Sequence, residues 1–293
     1  MIAFIGEILV DMFGEKKDGK LAFQACIGGA TLNAGASAKK TGAKVAFVGR
    51  VGKDTTGKFL ISEAEKVGFD ILDIQVDNER NTTLAFVTLV DGERDFAFNR
   101  HDTADYNIDF HAIDFEKFEN LTTIYVGSIM LSEQAGREFA DKLIKKAKSL
   151  GVKVCFDVNF RMDLYGDFNQ AVKAYKPMID GADVVKFSDD ELVSYTGIED
   201  KIKAIESFYK KDKLVIVTLG SKGSMYYLNG KHAIVPTLQV KPIDTTGAGD
   251  AFFGALLACL ENKELTEETV KNALVVANKA GADATQYVGA LNL

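Results

Sequence analysis

Two hydrophobic rhythms alternate along the chain. Short β-rich runs, dominated by apolar residues, recur at 2–5, 45–48, 124–126, 152–156, 184–186 and 214–218. Between them lie stretches with apolar residues at helical spacing, at 54–67, 133–150 and 202–209. Asp54 and Ser132 stand where helix N-caps belong, and Gly68 and Gly151 where helices stop. Strands without a polar face, separated by helices, require cover on both sides. The pattern predicts an α/β fold with a mostly parallel sheet and helices on both of its faces.

One stretch breaks this rhythm. Residues 83–90 and 95–100 alternate apolar and polar positions around Asp91-Gly92-Glu93-Arg94, which reads as a hairpin turn. Residues 11–23, directly after the first strand, are likewise polar and glycine-bearing. Two accounts fit: surface excursions, or a small β-sheet projecting from the α/β body. No Ser/Pro-rich linker, internal repeat or low-complexity tract divides the chain, so a single unit over residues 1–293 is expected.

Composition narrows the function classes. With 47% hydrophobic and 26% charged residues over 293 positions, the chain can bury a large core. The balance of 35 Lys+Arg against 42 Asp+Glu leaves a net charge of -7, without the basic footprint of a general nucleic-acid binder. The longest apolar run, 251–260, is about half of what spans a bilayer, so no membrane span is expected. The first ten residues lack a basic region and contain Glu7, with Asp11 next, so no secretory leader is expected either. Cys26, Cys155 and Cys259 are odd in number and widely spaced, which points to reduced thiols and a cytoplasmic setting. His101, His111 and His232 show no metal-like spacing.

The most informative segment is Asp244-Thr245-Thr246-Gly247-Ala248-Gly249-Asp250, followed by a helical apolar run. Glycines there let the backbone turn sharply into a helix, so that successive N–H groups point outward at its positive end. Such a terminus suits phosphate, or charge developing during phosphoryl transfer. Asp250 in the first turn would stand where a general base could take a hydroxyl proton. On the alternative account the glycines merely ease packing and Asp250 caps the helix. Other phosphate signatures fail: Gly52-Lys53 is followed by Asp54 rather than Ser or Thr, and Phe252 occupies the third glycine position of a dinucleotide fingerprint. A second segment, Gly28-Gly29-Ala30-Thr31-Leu32-Asn33, offers close backbone approach and a side chain that both donates and accepts. A tight turn capped by Asn33 is its plainer reading.

Together these segments resemble the ribokinase/fructokinase family of carbohydrate kinases. Gly247-Ala248-Gly249-Asp250 with Asp244 upstream is similar to the family's C-terminal signature, and Gly28-Gly29-Ala30 with Asn33 to its N-terminal one, with Thr31 where proline is common. Gly49-Arg50-Val51-Gly52-Lys53-Asp54 followed by Gly57 is a further family-like string. The resemblance implies a Rossmann-like body with a small β-sheet lid, its segments near 11–23 and 83–100. It implies that Asp11, Gly28, Gly29, Asn33 and Arg100 contact a sugar. It makes Asp250 the catalytic base, the backbone of Gly247, Ala248 and Gly249 the anion hole, and Arg161, in Asp157-Val158-Asn159-Phe160-Arg161, a phosphate-facing cation. Lys186, Ser188, Thr218, Gly220, Gly223 and Asn278 fall at ATP-binding positions. Glu191 falls where the family ties Mg²⁺ to phosphate, with Ser188 replacing the usual Asn; an acidic helix N-cap is the other reading of Ser188-Asp189-Asp190-Glu191. Asp244, Thr246, Ala284 and Gly289 match a K⁺ site, although Tyr287 stands where a basic residue is common and the chain stops at Leu293, where some members supply a polar ligand.

The expected activity is ATP-dependent phosphorylation of a primary sugar hydroxyl. Fructose leads because Phe98-Asn99-Arg100 with Ala104-Asp105 resembles a fructokinase lid edge, despite the departure at His101-Asp102-Thr103. A 2-keto-3-deoxygluconate kinase, with Arg100 and Arg161 facing a carboxylate, is the alternative within the mechanism, and ribose or nucleoside kinases are lesser ones. A sugar-binding regulator has no need for Asp250; a flavodoxin-like carrier would hold flavin. The apolar alternation of 83–100 further suggests a homodimer formed through the lid.

Overall fold

Ile2-Ala3-Phe4-Ile5 has no residue with a polar side chain and all four are fully buried, so this strand must sit inside the sheet with cover above and below. The computed structural model, which describes residues 1–17, 19–90 and 93–291, places it there. From the N-terminus the chain forms β1 (Ile2–Ile5), β2 (Leu9–Lys17), β3 (Lys20–Gly28), α1 (Ala30–Lys40), β4 (Val45–Gly52), α2 (Thr55–Val67), β5 (Ile71–Asp77), β6 (Leu84–Val90) and β7 (Glu93–Asn99). It continues through β8 (Thr123–Val126), α3 (Gln134–Leu150), β9 (Lys153–Asp157), α4 (Phe168–Gly181), β10 (Val184–Ser188), α5 (Asp189–Thr196) and α6 (Lys201–Glu206). The remainder is β11 (Leu214–Thr218), β12 (Ser224–Leu228), β13 (Lys231–Val235), α7 (Ala248–Leu260) and α8 (Glu267–Ala284).

Nine strands make the large sheet, in the order β13-β12-β11-β10-β9-β8-β1-β4-β5. It is parallel from β5 to β11 and ends in an antiparallel meander over β12 and β13. Alternate residues of β1 feed two cores. Ala3 and Ile5 join Leu143 and Ile144 of α3 and Met178 of α4 on one face. Ile2 and Phe4 join Leu32 of α1, Phe253 of α7 and Leu274 of α8 on the other. Truncating a fully buried ring such as Phe4 or Phe253 to Ala would cost about 3–5 kcal/mol.

The remaining strands pair separately as a small sheet in the order β3-β2-β6-β7, so the stretches that broke the rhythm form a sheet of their own. Of the proposed hairpin turn, Asp91 and Gly92 lie outside the described residues, as does Leu293.

Two local expectations are corrected. The N-cap of α3 is Glu133, not Ser132, whose hydroxyl instead donates to Ile129 O at 3.0 Å within a 3₁₀ turn (Ile129–Ser132). Asn33 lies within α1 rather than capping it, because the helix already starts at Ala30, after Gly29. Asn278 is buried on α8 and donates to the carbonyl of Val235 at 2.9 Å. Asp54, Gly68 and Gly151 do terminate their helices as read, Asp54 accepting from Gly57 N at 2.6 Å.

Candidate active site

The chain enters α7 through Gly247, which takes a left-handed φ of 74°. Only glycine suits that turn, and a Cβ there would also stand 2.7 Å from Ala290 Cβ. Ala251 N closes the first helical bond onto Gly247 O at 2.8 Å. The preceding N–H groups of the first turn therefore have no acceptor within the helix, and Gly249 and Asp250 face a cavity of about 630 Å³. Such a helix start suits an anion.

α1 packs directly on α7. A Cβ on Gly254 would collide with Ala34 O, and Ser37 Oγ donates to Ala251 O at 2.6 Å. The contact brings residues 217 apart in sequence into one hydrogen bond: Asn33 Nδ2 donates to Asp250 Oδ2 at 2.8 Å. That bond fixes one oxygen of a carboxylate whose residue lines the cavity. Burial raises the Asp250 carboxyl above its ordinary value, against the pull of the Asn33 bond, Lys186 and Arg161. A base so tuned is stronger than a solvated carboxylate. Asp11 on β2 faces the same cavity, and burial, with Asp250 nearby, pushes it up to about 7.

The C-terminal ends of the parallel strands supply the other wall, as is general for open α/β sheets. Lys186 and Asp157 are register partners on β10 and β9, and Lys186 Nζ donates to both carboxylate oxygens at 2.9 Å. Burial works against the ammonium, but Asp157, Glu191 and Asp250 together carry Lys186 above its ordinary value, so it is held charged. It stands close under the anion site, since a Cβ on Gly249 would come 3.2 Å from Nζ. Ser188 and Glu191 form a capping box at the start of α5, and Glu191 also accepts from Phe160 N at 3.1 Å. The capping reading of that string holds, and both residues also line the cavity.

Of the expected site residues, Asp11, Gly29, Asn33, Arg161, Lys186, Ser188, Glu191, Thr218, Thr246, Gly247, Gly249 and Asp250 line this cavity. A second cavity of about 270 Å³ shares Thr218, Thr245 and Gly249 with it and is lined by Gly220, Gly223, Ala248 and Asn278. Its apolar wall, Leu238, Val240 and Pro242, was missed by sequence reasoning; the signal was Leu238 and Val240 alternating with Gln239 and Lys241 between Pro236 and Pro242, where no strand forms. Leu9, Ala30 and Ile129 in the larger cavity were missed too, for apolar residues beside a sheet carry no mark of their own.

Other residues stand apart. Gly28 abuts the Asp11 carboxylate without lining the cavity. Asp244 ties two segments together, accepting from Thr246 N and Oγ1 at 2.9 and 2.8 Å within its own turn and from Gly289 N at 2.9 Å. Ala284 lines a different cavity, between α1 and α8. Arg100 does not reach the sugar-sized cavity: it is buried against Asp105, its Nε donating to that carboxylate at 2.9 Å. Among the described residues no group of three or more His, Cys, Asp or Glu could hold a metal ion by itself, and no helix is long and apolar enough to cross a membrane.

A helix start facing a cavity, the Asp250 carboxylate in its first turn and a second cavity adjoining the first, on this fold, are what a carbohydrate kinase needs. The family described as pfkB family carbohydrate kinase matches residues 1–293, and the chain belongs to it. It is similar to probable fructokinase-5 of Arabidopsis thaliana, 36% identical over 99% of this chain and 93% of the relative. Among solved structures, a fructokinase from Xylella fastidiosa with bound ATP superposes with a TM-score of 0.89 at 29% identity, over 99% of this chain and 93% of that one. A fructokinase from Vibrio cholerae O395 with fructose, ADP and calcium bound gives 0.86 at 32% identity, over 99% and 94%. A double mutant of the latter, with fructose, ADP and potassium bound, gives 0.87 at 32% identity, over 99% and 93%.

Proposed function

We propose that this kinase transfers the γ-phosphoryl of ATP to a primary hydroxyl of D-fructose. The observation that carries the reading is the Asp250 carboxylate, raised by burial, oriented by Asn33 and set in the first turn of α7 beside outward-facing N–H groups. The fructokinase relatives, similar over nearly the whole chain, support the choice of sugar.

In this account the sugar sits in the larger cavity, where Asp11, Gly29 and Asn33 hold its hydroxyls. ATP occupies the second cavity and extends its phosphates past Thr218 and Gly249 toward the first. Asp250 takes the proton of the attacking hydroxyl, and the N–H groups of Gly249 and Asp250 receive the charge that develops on the phosphoryl oxygens. Lys186, Arg161 and the positive end of α7 add to that field, so positioning and electrostatics supply most of the rate. Glu191, which lines the larger cavity, is our choice of the residue that ties Mg²⁺ to the phosphates. When bound, Mg²⁺ would neutralise phosphate charge. A K⁺ near Asp244 and Thr246, with backbone oxygens of Ala284 and Gly289, would add positive charge behind the anion hole; the carboxylate and hydroxyl brought together there are oxygen donors that suit it.

We also read the chain as one domain, with the small sheet as a lid over the sugar. Leu21 and Phe23, exposed on β3, offer an apolar face to the lid of a second copy, which favours a homodimer. The three unpaired cysteines fit a cytoplasmic setting. The substrate assignment is tested by ADP release with ATP and a panel of sugars. D-fructose should give a kcat/KM well above those of ribose and 2-keto-3-deoxygluconate; preference for the keto-deoxy acid would move the assignment to it, with Arg161 as the carboxylate's partner. Sedimentation of a monomer at micromolar concentration would remove the dimer.

A further inference from the structure

The residues that fasten the small sheet to the body form a buried polar cluster beside the sugar cavity. Asp105 is 1% exposed, yet its two oxygens serve three side chains. Oδ1 accepts from the hydroxyls of Thr83 at 2.6 Å and Thr103 at 2.8 Å. Oδ2 accepts from Arg100 Nε at 2.9 Å and lies 2.8 Å from Nη2. The same guanidinium donates through Nη1 to Ser132 Oγ at 2.6 Å and lies over the Tyr106 ring, 4.8 Å from its centroid. Ser132 Oγ in turn donates to Ile129 O at 3.0 Å.

The location gives this cluster its meaning. Thr83 immediately precedes β6 and Arg100 immediately follows β7, so one carboxylate holds both ends of the strand pair at the foot of the small sheet. Two residues along each strand from these anchors stand Ala85 and Phe98, a registered pair, and both line the sugar cavity. Through Ser132 the guanidinium also steadies the turn carrying Ile129, a third lining residue. A buried ion pair roughly cancels its own desolvation, so it is a poor device for stability alone. Where its hydrogen bonds converge on two strand ends, it fixes geometry.

We propose that Asp105 and Arg100 are positioning residues for the sugar: their pair sets where Ala85, Phe98 and Ile129 stand, and through them the sugar's affinity and the exclusion of water from the transferring phosphoryl group. The proposal rests on the sugar-kinase reading of the adjoining cavity and assigns neither residue any contact with substrate.

Asp105→Asn keeps the shape and discharges the pair. It should raise the sugar KM by about tenfold while the ATP KM stays within about twofold. The ratio of sugar-free ATP hydrolysis to sugar phosphorylation should rise several-fold, because water is less well excluded. Breaking a buried pair can unfold a protein, so Ser132→Ala is measured alongside; it removes only the tie from Arg100 to the Ile129 turn. It should raise the sugar KM by roughly threefold with little change in thermal midpoint, as expected for the loss of one hydrogen bond. A folded variant of either kind with wild-type sugar KM and hydrolysis ratio overturns the proposal, as does an ATP KM that rises as much as the sugar KM. Each ratio is taken on D-fructose and on the sugar that the wild type uses best. A wild type inert with fructose faults the choice of sugar alone, and the clamp is then read on the other sugar.

Discussion

The two sheets meet the cavity with different chemistry. The large sheet and the helices at its edge contribute Asp157, Lys186, Ser188, Glu191 and Asp250, a dense set of charges and hydrogen-bonding groups. The small sheet contributes Leu9, Ala85 and Phe98, with Asp11 as its one carboxylate at the cavity among the described residues. In the proposed reaction, the residues that move protons and stabilise phosphate sit on parallel strand ends and a helix start, where burial tunes them. Those proposed to enclose the sugar sit on a four-stranded sheet tied to the body by Asp105. The contrast predicts that changes on the first wall reduce turnover, and changes on the second raise the sugar KM.

The largest effect should come from Asp250→Asn, which removes the base while keeping an acceptor of the same size. Turnover in a coupled ADP assay should fall by ~10²–10⁴. Sugar affinity by calorimetry should change little. Near-wild-type turnover would remove Asp250 from the chemistry and erase the contrast.

Next in size is Asn33→Ala. A base acts deprotonated, so kcat/KM falls as pH drops through the Asp250 pKa. The Asn33 bond pulls that pKa down, so its loss should move the acid limb to higher pH. An unmoved limb would mean that the limb reports another group.

On the second wall, Phe98→Ala should raise the sugar KM by up to about tenfold, a fraction of the ring's burial energy, with kcat nearly unchanged. A fall in kcat with an unchanged KM would contradict the division between the walls.

The first wall was the more legible in sequence, for a physical reason. Glycines followed by an acid at a helix start are local: Gly247 through Asp250 must fold that way wherever the helix lies. The alternation at 83–90 and 95–100 also set that stretch apart from the buried strands, although the pattern alone left surface excursions open. What stayed hidden depends on contacts between distant segments. The Asn33–Asp250 bond spans 217 residues. Arg100 reads as a sugar-facing cation until Asp105 and Ser132 are seen to enclose it. The edge strands β5 and β13, and β12 beside the latter, escaped because they are partly exposed or depart from the strand–helix alternation.

The smallest expected effect is monovalent-cation activation. Replacing a bulky organic cation with K⁺ at constant ionic strength should raise turnover modestly, more than Na⁺ does. Flat activity would show that the Asp244 bonds alone order the turn into α7.

The most direct test of the account is the structure of the product. After wild-type enzyme has acted on ATP and D-fructose, phosphorus NMR should show a new phosphomonoester whose signal is split by two methylene protons, as attack by a primary hydroxyl requires. The signal should be missing with Asp250→Asn under the same conditions. A phosphorus coupled to a single methine proton, or inorganic phosphate as the only product, would contradict it.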